Sequence, residues 1–271
     1  MQRTRYLPDP ERMSVLAAAI LLAYALARFI VLPVREYSFQ LPIFYFSIEF
    51  NVQTLVTLIV AGLTAAGAEW LLRDHPAIQK EKYSMVHWLL PGLSALVIGL
   101  PLLQVQPGPT WWLGFILGGG LLMLVQVAEY IVVDPNDIRQ PLAAATLTAV
   151  SFALFLILSV TLQYAQVRLV FILPAVFLAV FLVSLRTLHL RLQQQWAFIE
   201  AIIIAFIVCQ WAAALHYLPL SPISYGLLLL GPAYFMTSLI AGLVEGRPVR
   251  QAVVEPLVIL LLVWGIALWL D

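Results

Sequence analysis

The chain has 271 residues, of which 63% are hydrophobic and only 10% are charged, and its 14 basic residues balance 14 acidic ones. Soluble domains are about half apolar and about a quarter charged, so this composition excludes a soluble globular enzyme, a disordered chain and a disulfide-rich secreted scaffold. Zero net charge gives no reason to expect nucleic acid as a partner. We conclude that the protein uses lipid as its solvent.

Nine apolar stretches follow one another along the chain, and each is close to the ~20 residues that cross a hydrocarbon core of ~30 Å. They predict transmembrane helices over residues 13–34, 51–72, 85–103, 111–133, 142–162, 167–187, 197–216, 223–244 and 254–270. The connections are short, and many carry a proline that marks a helix end, Pro256 among them. The predicted fold is an all-α integral membrane protein, a single polytopic domain over residues 1–271 with no soluble domain.

The longest connection between predicted helices covers residues 34–50 and is rich in aromatic side chains. Aromatic residues in such a segment would be costly to expose to water, so we expect it to lie in the membrane interface. A plain aromatic anchor is the favoured interpretation, and an interfacial lid over the helices is the alternative.

Basic residues fall mainly on one side of the predicted helices. The N-terminus and the loops after helices 2, 4, 6 and 8, together with Arg186 at the adjoining end of helix 6, hold 11 of the 14 Lys and Arg residues. The positive-inside rule therefore predicts a cytoplasmic N-terminus and an outside C-terminus. Twelve of the 14 basic residues are Arg, which favours a GC-rich bacterial genome, so we predict a multi-pass protein of a bacterial inner membrane.

Two helix ends resemble each other at an offset of 60 residues. Residues 68–74 (Ala-Glu-Trp-Leu-Leu-Arg-Asp) align without a gap with residues 128–134 (Ala-Glu-Tyr-Ile-Val-Val-Asp), each at the cytoplasmic end of an even-numbered helix. This echo suggests parallel helix-hairpin repeats, as occur in some transporter folds. The alternative is convergent use of an interfacial glutamate and aromatic residue.

Ionisable residues inside or beside membrane spans are candidates for function. The predicted inner carboxylate cluster comprises Glu69, Glu129, Glu200, Glu245, Asp74, Asp134 and Asp137, with His75, His87 and Arg186 at the same level. These carboxylates would line a cytosolic cavity for a cation, a proton or an amine. The favoured alternative is that each glutamate reaches water or pairs locally, as the spacing of Glu69 and Arg73 allows.

A second polar set lies at the predicted outer ends of the helices. It comprises Arg28, Glu49, Arg168 and His216. Glu49 is the expected partner of Arg28, because a buried guanidinium favours a bidentate carboxylate. The arginines would bind an anionic headgroup, although a structural ion pair or snorkelling is favoured.

Small and hydroxylated residues inside the spans are interpreted as packing devices. Gly118, Gly119 and Gly120 let helix 4 approach a neighbour closely, and the serine and threonine hydroxyls of helix 5 bond either their own backbone or a neighbouring helix. We expect Asp134 to form an Asx turn rather than to ligate a cation. No phosphate-binding loop, zinc motif or nucleophile elbow is present in the sequence, so no cofactor and no metal is predicted.

Three functions remain, in decreasing order of support. The first is a non-catalytic membrane subunit or lipid-binding scaffold, with membrane lipids and other membrane subunits as partners. The second is a small-molecule or ion transporter that uses the inner carboxylate cluster. The third is a membrane enzyme acting on lipid or isoprenoid head groups.

Overall fold

The computed structural model describes residues 8–29, 35–40, 45–50, 52–73, 75, 86–134, 136–192 and 195–271. Nine helices lie in these described residues, and eight of them are long and apolar enough to cross a membrane. The helices are α1 (Pro10–Phe29), α2 (Val52–Leu72), α3 (Val86–Gln104), α4 (Pro109–Val132), α5 (Gln140–Tyr164), α6 (Leu169–Arg191), α7 (Phe198–His216), α8 (Pro222–Val244) and α9 (Val249–Trp269). The predicted all-α membrane architecture is confirmed. Helix α1 is not one of the eight, so the first of the nine predicted spans stays a prediction.

Two helices depart clearly from their predicted bounds. Helix α6 continues to Arg191, one turn beyond the predicted end at residue 187, and α9 begins at Val249 instead of residue 254. The early start of α9 follows from Gly246, whose φ of 75° closes a turn in which Arg247 N–H donates to the Gly242 carbonyl at 3.0 Å. This bond pattern is a Schellman turn, which reverses the chain at once. Pro256 therefore lies inside α9, and its prediction as a helix end was wrong.

A β-hairpin precedes α2, where the sequence predicts only an interfacial segment. Strands β1 (Arg35–Gln40) and β2 (Tyr45–Phe50) are antiparallel, and their register pairs Tyr37 with Ile48 and Phe39 with Phe46. Apolar and polar residues alternate over residues 37–40 and 46–50, which is the period of a β-strand. The proposed place of this segment in the membrane interface stays a prediction.

The chain divides into two compact units, Met1–Asp137 and Ile138–Asp271, called unit 1 and unit 2. In unit 1, α2 packs most extensively on α3, α1 packs on α2 and α4, and α3 packs on α4. In unit 2 the most extensive pairs are α8 with α9, α6 with α7, and α5 with α8. The single polytopic domain and the hairpin repeats stay predictions.

Close helix contacts in unit 1 depend on glycine. A Cβ atom at Gly118 of α4 would meet Cγ2 of Ile98 on α3, and one at Gly119 would lie 2.6 Å from Cδ2 of Leu21 on α1. By contrast, a Cβ at Gly120 would have no heavy atom within 4 Å. Gly118 and Gly119 therefore bring α4 against two neighbours, as expected of small residues in membrane helices.

Hydroxyl groups in α5 bond to the carbonyls of their own helix. Ser151 donates to Leu147 at 2.7 Å, and Ser159 donates to Phe155 at 2.9 Å. Thr146, Thr148 and Thr161 make the same bond to the carbonyl four residues earlier. Such bonds satisfy the hydroxyl without a partner on another helix.

Candidate functional site

The residues of the predicted inner carboxylate cluster are divided between the two units. Glu69, Glu129, Asp134 and Asp137 belong to unit 1, while Glu200 and Glu245 belong to unit 2. Asp74 lies outside the described residues. The cluster as one functional site therefore stays a prediction.

Glu129 lies in the last turn of α4 and is 1% exposed. Its Oε2 atom is 2.9 Å from Nδ1 of His87, in the first turn of α3, whose side chain is 17% exposed. Helices α3 and α4 are consecutive and antiparallel, so the start of the first meets the end of the second. The pair satisfies a carboxyl group that would otherwise be costly to bury.

Three further ionisable groups are buried in unit 1 near this helix end. His75 follows α2, is 1% exposed, and meets the ring of Tyr130 edge-on with centroids 4.5 Å apart. Asp134 and Asp137 follow α4 and are 7% and 4% exposed. Asp134 Oδ1 accepts a hydrogen bond from the Asn136 backbone N–H at 2.9 Å, which is the Asx turn expected from the sequence.

Together His75, His87, Glu129, Asp134 and Asp137 form what we call the histidine–acid cluster. Burial lowers the pKa of His75, the carboxylates of Asp134 and Asp137 act in the opposite direction, and His87 adds to the lowering. No group of three or more histidine, cysteine or acidic residues within the described ranges is arranged to hold a metal ion. Four of the five members of the histidine–acid cluster are buried, and the side chain of His87 is 17% exposed.

The lowered pKa of His75 predicts that acid destabilises the folded protein. The unfolded chain takes up a proton on this imidazole more readily, so stability rises with pH and falls as pH drops below the unfolded value of about 6.5. We expect thermal unfolding to move to lower temperature between about pH 7.5 and about pH 5.5, and His75→Asn to reduce this slope. An unchanged slope in circular-dichroism melts of the variant would contradict the assignment.

In unit 2, Glu245 directly follows α8 and forms ion pairs with two arginines. Its Oε1 atom is 3.0 Å from Nε of Arg191, and its Oε2 atom is 2.8 Å from a terminal nitrogen of Arg247. Glu200 lies in the first turn of α7 and is half-buried, where a negative charge complements the helix dipole. Glu245 is therefore held by local ion pairs.

Arg186 is the largest fully buried side chain among the residues that the structure describes, at 1% exposure. It lies within a buried polar stretch of α6 in which Ser184 and Thr187 are also inaccessible, and Ser184 Oγ is 3.1 Å from Thr237 Oγ1 on α8. The sequence places Arg186 at a helix boundary because hydropathy ends the span at residue 187. In the structure α6 continues one turn further, to Arg191.

The structure brings His75 and His87, which the sequence places at the level of the inner carboxylate cluster, close to Glu129, Asp134 and Asp137. His87 is 42 residues from Glu129 in sequence. The available signal was the antiparallel pairing of helices 3 and 4, which brings the start of one beside the end of the other. For Glu69, Arg73 N–H donates to its carbonyl at 2.9 Å, and no ion pair joins the two side chains in the described part of the chain.

The predicted outer polar set is placed only in part. The side chains of Arg28 on α1 and Glu49 on β2 lie outside the description, so their predicted ion pair stays a prediction; the backbone register pairs Glu49 with Glu36. In unit 2, exposed Arg168 precedes α6 as its N-cap. His216 ends α7, and its ring meets that of Tyr217 at 5.1 Å.

Residues 32–270, almost the whole chain, match the family described as "Protein of unknown function (DUF5656)". The chain belongs to this family. No curated protein matches it, and no solved structure matches it.

Proposed function

We propose that this member of the DUF5656 family is a non-catalytic membrane subunit or lipid-binding scaffold. The observation that carries the proposal is that these polar groups bond to one another or to their own helix. Glu129 pairs with His87, and Glu245 pairs with Arg191 and Arg247. The α5 hydroxyls bond their own helix. Groups held in this way stabilise the helices and are not free to coordinate a permeating solute.

The exposed apolar faces of unit 2 support the same proposal. Only 17% of the α9 span is buried within the protein, and Val258, Leu261 and Leu262 are among its exposed residues. In a membrane, such a face contacts lipid tails or another transmembrane helix. Membrane lipids and other membrane subunits are therefore the partners that we propose.

Native mass spectrometry of the purified full-length protein tests the proposal, because it detects bound subunits and lipids together. We expect masses above that of the chain to correspond to lipid or to a membrane subunit. In parallel, proteoliposomes containing the protein should show no more pH-driven proton flux than empty liposomes. Flux in the wild type that Glu129→Gln abolishes would overturn the proposal.

A transporter is the second candidate, and the histidine–acid cluster is the observation that favours it. Buried carboxylates beside histidines at a helix end are groups from which proton relays are built. On this alternative Glu129→Gln changes flux and its pH dependence while the protein remains folded. The matched variant Glu69→Gln, at the equivalent position of α2, would leave flux unchanged.

A further inference from the structure

An arginine-rich surface lies in unit 2 where α6 and α8 end and α9 begins. Arg191 closes α6, Arg247 follows α8, and Arg250 lies in the first turn of α9. Glu245 stands between the first two and bonds both. We call Arg191, Arg247 and Arg250, with Glu245, the arginine site. The Schellman turn at Gly246 joins the end of α8 to the start of α9, and the contact of Arg191 with Glu245 adds the end of α6.

The arginines of this site have more N–H donors and more positive charge than the neighbouring glutamates engage. Each guanidinium carries five N–H donors, but the contacts to Glu245 engage Nε of Arg191 and one terminal nitrogen of Arg247. The side chains of Arg191 and Arg247 are 27% and 47% exposed. Glu255 is 3.9 Å from Arg247 and 70% exposed. Exposed Arg250 follows Arg247 by three residues, so the three arginines and two glutamates of this surface carry a surplus of one positive charge.

Aromatic side chains lie at the same end of α6 as Arg191. The rings of Trp196 and Phe198 are stacked 4.8 Å apart and are both exposed, and His189 in the last turn of α6 meets Trp196 at 5.1 Å. Exposed aromatic rings of this kind lie at headgroup level. Further along α9, Val254 and Leu257 are exposed and offer an apolar surface to an acyl chain.

We infer that the arginine site binds the phosphodiester headgroup of an anionic glycerophospholipid, whose acyl chain lies along α9. A lipid phosphodiester carries one negative charge and so matches the surplus of one positive charge. Guanidinium groups bind phosphate oxygens through paired N–H donors. The N-terminus of α9 adds a favourable dipole, and basic groups between helix ends on the cytoplasmic side bind anionic headgroups in other membrane proteins. The inference rests on the proposed scaffold function and names its lipid.

Lipid titration of the full-length protein in detergent, read by native mass spectrometry, tests the site. The probes are phosphatidylglycerol and phosphatidylcholine with identical acyl chains. We expect the wild type to prefer phosphatidylglycerol, and Arg247→Gln and Arg250→Gln each to weaken that binding about fivefold. Glu255→Gln removes a competing carboxylate and should strengthen it.

Arg73→Gln is the matched control, because Arg73 is an exposed arginine at a helix end of unit 1. An equal loss in this variant, or equal binding of the two lipids by the wild type, overturns the inference. Glycerol phosphate added in excess should not displace the lipid; displacement would make the site one for soluble anions. A lipid preference accompanied by proton flux would overturn the scaffold function alone, and an absent preference without flux would overturn the lipid site alone.

Discussion

Glu129→Ala should lower the free energy of unfolding by about 3 kcal/mol, because it breaks a buried pair and leaves its partner unsatisfied. Glu129 is 1% exposed and its Oε2 atom is 2.9 Å from Nδ1 of His87. The substitution also removes side-chain volume at a packed helix end. Glu129→Gln retains an oxygen within reach of the imidazole. We therefore expect it to lower the free energy of unfolding by less than half as much as Glu129→Ala.

The resemblance between residues 68–74 and residues 128–134 supplies the control for this measurement. Glu69 occupies the equivalent position of α2, but it is half-buried and makes no ion pair with Arg73 among the described residues. Glu69→Ala should therefore change stability by no more than about 0.5 kcal/mol. Denaturant unfolding in mixed micelles, followed by circular dichroism, compares the variants. Equal losses for both alanine variants would show that burial at Glu129 has no special energetic role.

Gly118→Ala should lower the free energy of unfolding by about 1–3 kcal/mol, which is the usual effect of overpacking a close contact. The new Cβ would meet Cγ2 of Ile98. Ile98 is 5% exposed and is β-branched, so its side chain has few rotamers into which it can move. Helix α4 must then separate from α3 to accept the methyl group.

Gly120→Ala is the matched control, two residues along the same helix. It meets no heavy atom within 4 Å and replaces glycine by a better helix former, so we expect no loss and a gain of up to about 1 kcal/mol. The same micelle unfolding assay measures both variants. A loss at Gly120 equal to that at Gly118 would mean that helix flexibility, and not the contact with Ile98, governs the effect.

The membrane class and most helix bounds followed from the sequence alone. Helix α2 is predicted over 51–72 and found at Val52–Leu72, and α7 is predicted over 197–216 and found at Phe198–His216. In lipid, the backbone N–H and C=O groups of a segment must form hydrogen bonds within that segment. A long apolar segment therefore forms a helix. The bounds were wrong where a backbone turn decides them, as at Gly246 before α9.

Only the tertiary structure decided which helix faces meet and which charges are buried. The pairing of His87 with Glu129, the burial of Arg186 and the contact of Gly118 with Ile98 all depend on neighbours in space. In a soluble protein, alternation of polar and apolar residues would indicate the buried face of each helix. Lipid tails are as apolar as leucine, so hydrophobicity does not distinguish lipid-facing from protein-facing surfaces. Small residues such as Gly118 indicate a close contact but do not identify the neighbouring helix.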